Sequence, residues 1–469
     1  MCETKTMKQE VLFNPQLIER YDTTGPRYTS YPTAVQFHEG FDAIAYRRFT
    51  NASNAELIPR PLSLYVHLPF CQSLCYYCGC TKKITRNPKH GQAYLKQLFT
   101  EIELQGQLFD PDRRVLQLHL GGGTPTFFDN KQLEALMAEL GRWFSLLKTG
   151  AREYAIEIDP RTVDAGRLRH LQSLGFNRIS MGVQDLNPEV QRAIGRNQTE
   201  KQTRSLYDYC REEAFTGINF DLIYGLPGQT LDGWKQTIGS VIEMAPDRLA
   251  VYSYAHLPAN IKHQAKIDAA ALPAANIKSA LISRARGLLE EAGYAAIGMD
   301  HFALPGDELC AASREGRLHR NFMGYTTIAD TQTIGIGPSA ISFVGNTYTQ
   351  NEKRLFKYYR ALDKAELPTA SGLALTHDDL VRRWIIEQLM CNFQLSFEEL
   401  SDRFEVDFIT YFAEEGPQIR ELQGDGLLQC SEGGLNVLPL GRNFVRNIAM
   451  VFDAYLKKSG REIQYSRTV

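Results

Sequence analysis

The chain has 469 residues, of which 43% are hydrophobic and 23% are charged. This composition excludes disordered and fibrous proteins and is sufficient for one large domain and a smaller one. The formal net charge is −2, so no global basic excess points to nucleic acid or to an anionic membrane. We therefore expect neither of these partners.

The first residues, MCETKTMKQEVLFNP, lack the apolar stretch of a signal peptide. No segment approaches the roughly 18 apolar residues of a membrane span. These features predict a cytoplasmic protein, in which thiols stay reduced. Four of the nine cysteines lie in CQSLCYYCGC, residues 71–80, and this cluster indicates metal binding or catalysis.

The N-terminal residues 1–55 are predicted to form an arm on the main domain, because they contain no long periodic segment. Residues 56–292 then alternate short apolar runs with amphipathic segments, which is typical of βα units around a parallel sheet. Strands are predicted at 62–68, 115–120, 154–158, 178–183, 218–224 and 249–254. Six units are too few for a closed eight-stranded barrel, so a partial barrel and a doubly wound sheet both remain open.

The C-terminal residues 371–469 are predicted to form a mainly helical domain. It contains a hairpin that turns at Gly433–Gly434, an arrangement that resembles a winged helix. This segment carries 10 Lys and Arg against 15 Asp and Glu, a net charge of −5. That sign is wrong for neutralising phosphates, so packing or covering the main domain is the favoured role.

The cysteine loop has the spacing C-x3-C-x2-C-x-C and directly follows the first predicted strand. A thioredoxin-like pair, Cys75 and Cys78, would not need Cys71. A structural zinc site would normally use a second separated pair, which the chain lacks. Closely spaced thiolates suit an iron–sulfur cluster. The triplet resembles the radical S-adenosylmethionine superfamily, in which three cysteines hold a [4Fe–4S] cluster and an open iron binds S-adenosylmethionine.

Polar or glycine-rich residues follow each of the other predicted strands. They are GGGTPT at 121–126, Glu157, Gln184, Asp221 and residues 254–256. Taken singly, such residues are often structural: we interpret His67 as a hydrogen-bonded core histidine, and Arg196 would by default be a solvated surface residue. The carboxyl ends of parallel strands lie at one edge of the sheet, however, so their convergence predicts a site there.

Several motifs together resemble the family of bacterial oxygen-independent coproporphyrinogen III oxidases. These are GPRYTSYPTA, SLYVHLPFCQSLCYYCGC, LGGGTPT, IEIDPR, NRISMGVQD, FDLIYGLP, YSYAHLP, GMDHFA, HRNFMGYTT and the terminal QYSR. The resemblance runs from about residue 20 to the end of the chain. It implies a partial (β/α)6 barrel with a helical C-terminal domain, and an extension over 293–370 that completes the active site.

The resemblance also implies a reaction. Two propionate side chains of coproporphyrinogen III become vinyls, giving protoporphyrinogen IX in haem biosynthesis. A 5'-deoxyadenosyl radical removes a hydrogen from each propionate, so two S-adenosylmethionine molecules are consumed. The family pattern places both molecules in the site, and an external electron donor and a monomeric enzyme are expected.

Carried over residue by residue, the resemblance assigns Cys71, Cys75 and Cys78 to the cluster. The first S-adenosylmethionine would contact Tyr65, Gly122 and Glu157. The second would contact Tyr77, Gly123, Thr124, Gln184, Arg196, Asp221, Ala255 and Ile341. Residues expected near the reacting substrate are Cys80, Glu157, Phe322 and Met323. Arg27 and Arg320 are candidates for binding the substrate carboxylates.

One position departs from the family pattern, because Met323 stands where glutamine is expected. A thioether cannot donate the hydrogen bonds of an amide. Two other functions remain open: a haem-chaperone relative, which would carry an aromatic residue in place of Cys80 and lack the arm, and a zinc-stabilised binding protein without catalysis.

Overall fold

The structure is a computed structural model that describes residues 15–458 and 465–468. Residues 1–14 of the predicted arm and Gln464 of the QYSR motif lie outside the described residues. Within the described ranges, no helix is both long and apolar enough to cross a membrane.

The described chain contains both long and very short strands, numbered in sequence order. They are β1 (Leu62–Leu68), β2 (Phe70–Cys71), β3 (Lys83–Ile84), β4 (Arg114–Gly122), β5 (Ser145–Leu146), β6 (Glu153–Ile158), β7 (Arg178–Gln184), β8 (Gly217–Tyr224), β9 (Arg248–Ser253), β10 (Ala295–Ile297), β11 (His301–Ala303), β12 (His319–Asn321), β13 (Gly324–Thr326), β14 (Gln332–Ile336), β15 (Ile341–Val344), β16 (Thr347–Asn351), β17 (Thr369–Ala374), β18 (Gln394–Ser396), β19 (Leu428–Ser431) and β20 (Gly434–Val437).

The α-helices are numbered in the same way. They are α1 (Pro15–Tyr21), α2 (Ala43–Asn54), α3 (Pro88–Gly106), α4 (Asn130–Trp143), α5 (Ala165–Ser173), α6 (Pro188–Ala193), α7 (Glu200–Glu212), α8 (Leu231–Met244), α9 (Ala275–Glu291), α10 (Glu308–Arg314), α11 (Leu355–Leu362), α12 (His377–Asn392), α13 (Phe397–Phe404), α14 (Phe408–Tyr411), α15 (Gly416–Gly424), α16 (Val445–Met450) and α17 (Ala454–Lys458).

The six predicted strands are confirmed as the parallel strands β1, β4, β6, β7, β8 and β9, with limits within two residues of those expected. They lie side by side in sequence order, whereas a doubly wound sheet would reverse its order at one point. The sheet continues beyond β1 through β14 to β17 and beyond β9 through β11 to β10, and these two edges do not pair. The fold is therefore a partial (β/α)6 barrel that stays open.

Alternation along the strands divides the barrel into an apolar outer layer and a polar interior. In β6 the side chains of Tyr154, Ile156 and Ile158 are buried, while Glu153 and Glu157 line the interior cavity. The same alternation holds for β7 and β8, because successive side chains point to opposite faces of a strand. We call the carboxyl ends of the parallel strands the rim and their amino ends the floor.

Helix ends follow local signals in most cases. The predicted capping box of Thr199 and Gln202 is confirmed at the start of α7, and Gly175 follows α5 with a φ of 98°. Helix α2 was not expected, since residues 1–55 show no long periodic pattern. It begins after Asp42, whose side chain accepts hydrogen bonds from the backbone N–H groups of Ile44 and Ala45.

The C-terminal region is mainly helical, and its small sheet has the strand order β18-β20-β19. The hairpin forms one residue earlier than expected, because Gly434 already belongs to β20. The N-terminal arm contributes Tyr28 and Tyr31 to the hydrophobic core of this region. The Tyr28 hydroxyl donates to Asp453 Oδ2 at 2.9 Å. The arm therefore packs on the C-terminal helices as well as running beside the barrel.

Candidate active site

The cysteine loop leaves β1 and is held at the rim by two contacts. Strands β2 and β3 pair in parallel, with Cys71 opposite Ile84. Further along, the Tyr76 N–H donates to the Ile194 carbonyl at 2.8 Å. These contacts fix the loop at both ends, so its thiols are directed toward the barrel opening.

The glycine-rich segment after β4 packs directly beneath this loop. The N–H groups of Gly123 and Thr124 donate to the carbonyls of Leu68 and Phe70, both at 2.8 Å. A Cβ atom at position 123 would lie 2.7 Å from backbone atoms of Leu68 and Phe70, so only glycine fits. The Thr124 hydroxyl lies 3.5 Å from the Cys71 sulfur, and GGGTPT thus supports the cysteine loop.

A third support comes from the segment after β9. Gln264 Nε2 donates to the carbonyl of Tyr77 at 3.0 Å and to that of Ala255 at 3.2 Å. The Lys82 ammonium donates to the Cys78 carbonyl at 2.9 Å, and His263 Nε2 lies 2.7 Å from the same oxygen. These side chains, and not the cysteine thiols, satisfy the carbonyls of Tyr77 and Cys78.

One cavity of about 560 Å³ extends from the cysteine loop into the barrel; we call it the cluster cavity. It brings together most of the predicted site residues. Those that line it are Cys71, Cys75, Cys78, Cys80, Tyr77, Gly122, Gly123, Thr124, Glu157, Gln184, Arg196, Asp221 and Met323. The strands therefore deliver these residues to a single volume, as their positions at strand ends predict.

Glu157 lies between the glycine segment and an aromatic group. Its carboxylate accepts from the Gly122 N–H at 3.2 Å and lies 3.1 Å from His119 Nε2. The His119 ring stacks on Tyr65 with centroids 5.9 Å apart. Burial and the nearby Glu157 raise the pKa of Tyr65. The Tyr65 phenol therefore stays neutral and serves as a hydrogen-bonding group.

His67 is a structural residue, as expected. It is 4% exposed, and its two ring nitrogens lie 3.0 Å from the Tyr65 hydroxyl and 2.8 Å from the Thr81 carbonyl. Burial lowers the pKa of His67, so the neutral ring bridges β1 to the residue after the cysteine loop.

Arg196 is buried in the site and is not the solvated surface residue expected by default. Its Nη1 atom lies 3.7 Å from the Cys75 sulfur and 3.4 Å from Asp159 Oδ2. Arg161 approaches the same two residues, with Nη2 3.8 Å from the Cys75 sulfur. Burial opposes the ionisation of Asp159, but Arg196 and Arg161 outweigh it and lower the pKa of that carboxyl. Two guanidinium groups thus donate toward the Cys75 sulfur from one side of the cavity.

Gln184 and Asp221 hold the far side of the cavity. Gln184 ends β7 in the left-handed region, with a φ of 67°, a conformation that is uncommon outside glycine and often found at functional sites. Asp221 accepts hydrogen bonds from Ser180 at 3.1 Å and Asn219 at 2.9 Å. Burial and the charge of Glu157 raise the pKa of Asp221 to about 6.

The four thiols differ in their surroundings. Burial raises the pKa of Cys71 to about 11, whereas a hydrogen bond from Cys80 lowers the pKa of Cys78. Cys80 is exposed to the cavity. No group of three or more His, Cys, Asp or Glu side chains within the described ranges is placed to hold a single metal ion. The triplet Cys71, Cys75 and Cys78 lines one cavity, and hydrogen-bond donors approach the sulfurs of Cys71 and Cys75. Closely spaced cysteines of this kind fit a polynuclear cluster.

Four predicted site residues do not line the cluster cavity. These are Tyr65, Ala255, Phe322 and Ile341. Ala255 contacts the cysteine loop through Gln264, and Ile341 lies at the start of β15, beside β14. The Phe322 ring packs edge-on against Tyr348 in a neighbouring cavity.

Arg27 and Arg320 also lie outside the cluster cavity. Arg27 donates to the Ser253 carbonyl at 2.7 Å, and Arg320 Nη2 lies 3.8 Å from Asp300 Oδ2. Lys82 and Arg86 are instead the cations near the cavity mouth, and Arg86 forms no hydrogen bond or ion pair within the described chain.

Sequence reasoning missed Arg161, His119 and Gln264. Arg161 follows Asp159 by two residues in IEIDPR, so the motif itself could have indicated it as a site residue. His119 alternates with Gln117 on the inward face of β4, which strand periodicity could have indicated. Gln264 lies in a short 3-10 helix, Lys262–Lys266, and has no local signature.

Comparisons with known proteins agree with this geometry. The Radical SAM superfamily profile matches residues 65–241, and the HemN C-terminal domain profile matches residues 375–444. The oxygen-independent coproporphyrinogen III oxidase of Pseudomonas aeruginosa is 45% identical, over 99% of this chain and all of that protein. The protein of that name from Escherichia coli K12 is 45% identical, over 98% of this chain and 99% of its own length.

A solved structure gives the same result. Coproporphyrinogen III oxidase (HemN) from Escherichia coli, described as a radical SAM enzyme, superimposes with a TM-score of 0.90 at 44% identity. The match covers 95% of this chain and all of that one. Both the fold and the sequence are thus similar over essentially the full length.

Proposed function

Because the chain belongs to the family of oxygen-independent coproporphyrinogen III oxidases, we propose that it converts coproporphyrinogen III to protoporphyrinogen IX in haem biosynthesis. Two propionate side chains each lose one hydrogen atom, CO2 and one electron and become vinyls. The observation that carries this proposal is the convergence of the Cys71, Cys75 and Cys78 triplet with residues of β4, β6, β7 and β8 in one cavity.

Cys71, Cys75 and Cys78 would hold the [4Fe–4S] cluster. Together with S-adenosylmethionine, this cofactor supplies a 5'-deoxyadenosyl radical when bound. Arg161 and Arg196 support the assignment, because their N–H groups approach the Cys75 sulfur and could donate to a ligand at that place. The hydroxyl of Thr124 approaches the Cys71 sulfur in the same way.

We assign the first S-adenosylmethionine to Tyr65, Gly122 and Glu157. The support is the hydrogen bond between the Gly122 N–H and Glu157, which holds a carboxylate beside the glycine segment. The Glu157 carboxylate would orient the amino group of the methionyl moiety.

A second S-adenosylmethionine in the same cavity is a further part of the proposal. Tyr77, Gly123, Thr124, Gln184, Arg196 and Asp221 support it, because all of them line the cavity beyond the first set. Tyr77 suits an adenine ring and Asp221 suits ribose hydroxyls. Ala255 and Ile341 complete the assignment carried over from the family pattern.

For the substrate side we assign Cys80, Met323 and Phe322. Cys80 is exposed to the cavity and lies next to Cys78 without belonging to the triplet. Met323 lines the same cavity, so we expect its thioether to pack on a pyrrole ring instead of donating a hydrogen bond. Phe322 would act from the neighbouring cavity, on the other side of the β12–β13 hairpin.

Lys82 and Arg86 are the cations that we assign to the substrate carboxylates. They replace Arg27 and Arg320, which are bound elsewhere in the fold. Arg86 is the stronger candidate, because it is an exposed residue of the cavity lining and forms no hydrogen bond or ion pair in the described chain. A propionate that docks there would receive a charge-assisted hydrogen bond.

The test is turnover by the reduced, anaerobically purified holoenzyme. Protoporphyrinogen IX should form from coproporphyrinogen III only when S-adenosylmethionine is present. Titration of S-adenosylmethionine should reveal two bound molecules, whereas one would contradict the second site. Cleavage of S-adenosylmethionine without decarboxylation would contradict the oxidase function and favour a haem chaperone. A monomeric state, an external electron donor and a cytoplasmic location stay predictions.

A further inference from the structure

A second cavity lies on the opposite face of β9 from the cluster cavity. Tyr252 lines the cluster cavity, while its neighbours Val251 and Ser253 line the second one. Because side chains alternate across a strand, β9 separates the two volumes. The second cavity is formed by the arm, by α9 and by the segment before α16, where the barrel meets the C-terminal helices.

Six basic side chains line this cavity, and we call it the cationic cavity. They are Arg27, Lys278, Arg286, Arg442, Arg446 and Arg467, against Asp300 as the acidic lining residue among those described. Asp300 is engaged elsewhere, because it accepts from His301 Nδ1 at 2.7 Å and lies 3.8 Å from Arg320. Arg467 is paired with Asp22 at 2.6 Å.

Five of the cations, Arg27, Lys278, Arg286, Arg442 and Arg446, form no ion pair with a described carboxylate. Arg446 is 7% exposed, and its guanidinium donates to backbone carbonyls, including those of Pro26 at 3.0 Å and Arg467 at 2.7 Å. Burial and the charge of Arg27 lower the pKa of Arg446 to about 10 and that of Lys278 to about 8. Like charges therefore lie close together around this cavity, and Asp300 and Asp22 offset them only in part, since both pKa values remain lowered.

The same groups retain donors that point into the cavity. Arg286 donates through Nη1 to Asn443 at 2.7 Å, while its buried Nε has no partner in the described chain. The Lys278 ammonium makes one hydrogen bond, to the Tyr254 carbonyl at 3.1 Å. Arg27 uses only Nη2, toward Ser253. A buried donor left without a partner is costly, so an acceptor at this place would be stabilising.

We propose that the cationic cavity binds a small oxyanion with two or more negative charges, of the size of phosphate or pyrophosphate. The cavity volume is about 120 Å³, far below the several hundred Å³ of sites for larger organic ligands, so a tetrapyrrole does not fit. A substrate in the cluster cavity would lie on the other side of β9, so its carboxylates would not reach the cationic cavity. We therefore assign the cationic cavity to a free anion. Its binding would join the arm, the barrel helix α9 and the C-terminal region.

The experiment is calorimetric titration of the anaerobically purified holoenzyme with inorganic phosphate and with pyrophosphate. Ionic strength is held constant with potassium chloride, so that the screening of charges is the same at every anion concentration. We expect one saturable site. The variants Arg286→Gln and Lys278→Met should each weaken binding by about tenfold or more, since each removes a charged donor. Arg284→Gln is the matched control, because Arg284 is exposed on the same helix, and it should change affinity less than about twofold.

Two further measurements make the test decisive. Iron content and the thermal unfolding midpoint of each variant without anion establish that the fold is retained, and phosphate should raise the midpoint of the parent protein but not of Arg286→Gln. Absence of saturable binding to the parent overturns the proposal. Weaker binding in Arg86→Gln would also overturn it, because the anion would then be assigned to the cluster cavity. Competition by coproporphyrinogen III would overturn it as well, because the anion would then occupy the place of a substrate propionate.

Discussion

The floor and the rim of the barrel contain similar polar residues but pair them differently. At the floor, Arg248 lies 2.7 Å from Asp307 and Arg178 lies 3.2 Å from Glu153, so each charge meets an opposite one. At the rim, Asp159 is paired with Arg161 and Arg196, but the guanidinium of Arg86 lines the cavity without an ion pair among the described residues. Charges at the floor hold strands together, whereas groups at the rim remain available to ligands.

This difference has a physical origin. The amino ends of the strands are closed by α10 and by the β12–β13 hairpin, and a charge buried there must be paired to avoid a large desolvation cost. The carboxyl ends lead into loops that vary without disturbing the core. The comparison predicts that changes at the rim remove activity and spare the fold, and that changes at the floor do the opposite.

The largest effect is expected from Cys75→Ser. Loss of one of three thiolate ligands should abolish the cluster, so iron and sulfide content and turnover should fall below detection. Cys430→Ser is the control, because Cys430 is a half-buried residue far from the triplet in the chain, and it should keep both. Retention of stoichiometric iron in Cys75→Ser would contradict the assignment.

Cys80→Ser should separate ligation from catalysis. We expect the variant to keep its iron, since Cys80 is outside the proposed triplet, and to lose formation of protoporphyrinogen IX. Iron analysis together with the turnover assay checks this. If iron is lost as well, Cys80 is a ligand and the roles of the four thiols must be reassigned.

At the floor, Glu153→Gln should destabilise the fold. Arg178 and Arg248 would lose a shared carboxylate in a buried setting, a change that costs about 3–5 kcal/mol. Burial opposes the ionisation of Glu153, but both arginines outweigh it and lower the pKa of this carboxyl. Its contribution is therefore present above pH 4.5 and is lost at lower pH.

Thermal unfolding at pH 7 checks this prediction, with Glu308→Gln as the control. Glu308 contacts the same two arginines but is more exposed, so its loss should cost less. The fraction of Glu153→Gln protein that remains folded should bind its cluster normally. An unchanged midpoint would mean that the floor is not a stabilising network.

Asp221→Asn should reduce the pH dependence of stability. The pKa of Asp221 is about 6 in the folded protein against 3.8 for an ordinary aspartate. A raised pKa means that the protonated carboxyl stabilises the fold at low pH and that this contribution disappears as the pH rises through 6. The ionised group then costs at most about 3 kcal/mol.

Without added S-adenosylmethionine, the unfolding midpoint of the parent should fall more between pH 5 and pH 8 than that of Asp221→Asn. The variant should also bind the second S-adenosylmethionine more weakly, because an amide donor replaces one of the two carboxylate oxygens that would accept from ribose. Parallel pH curves for the two proteins would contradict the raised pKa.

The smallest effect is expected from Arg86→Gln. An exposed charge pair contributes about 1 kcal/mol or less, so KM for coproporphyrinogen III should rise by roughly threefold to fivefold, with kcat retained. Lys89→Gln, an exposed cation outside the cavity, is the control. An unchanged KM in Arg86→Gln would leave Lys82 as the candidate for carboxylate binding.

Much of the fold could be predicted from the sequence, because alternating apolar runs and turn signals are local. All six parallel strands follow from such runs, and so does the capping box at Thr199. Helix α2 could not be predicted, since AIAYRRFTNASN has no continuous apolar face and is stabilised by its contacts with β15 and β16. The docking of the arm on the C-terminal helices depends on contacts between residues more than 400 positions apart.

By itself the sequence placed the cysteine triplet and the glycine-rich segment at the ends of neighbouring strands, because both are short motifs that follow predicted strands. The assignment of the triplet to a cluster came from the family resemblance and not from its spacing alone. Only the tertiary structure decided which charges remain free. Arg196, expected on the surface, lies beside Cys75. Arg27, a candidate for binding the substrate, lies instead in one wall of the cationic cavity. The reason is that pairing and burial depend on residues distant in sequence, and no local pattern records them.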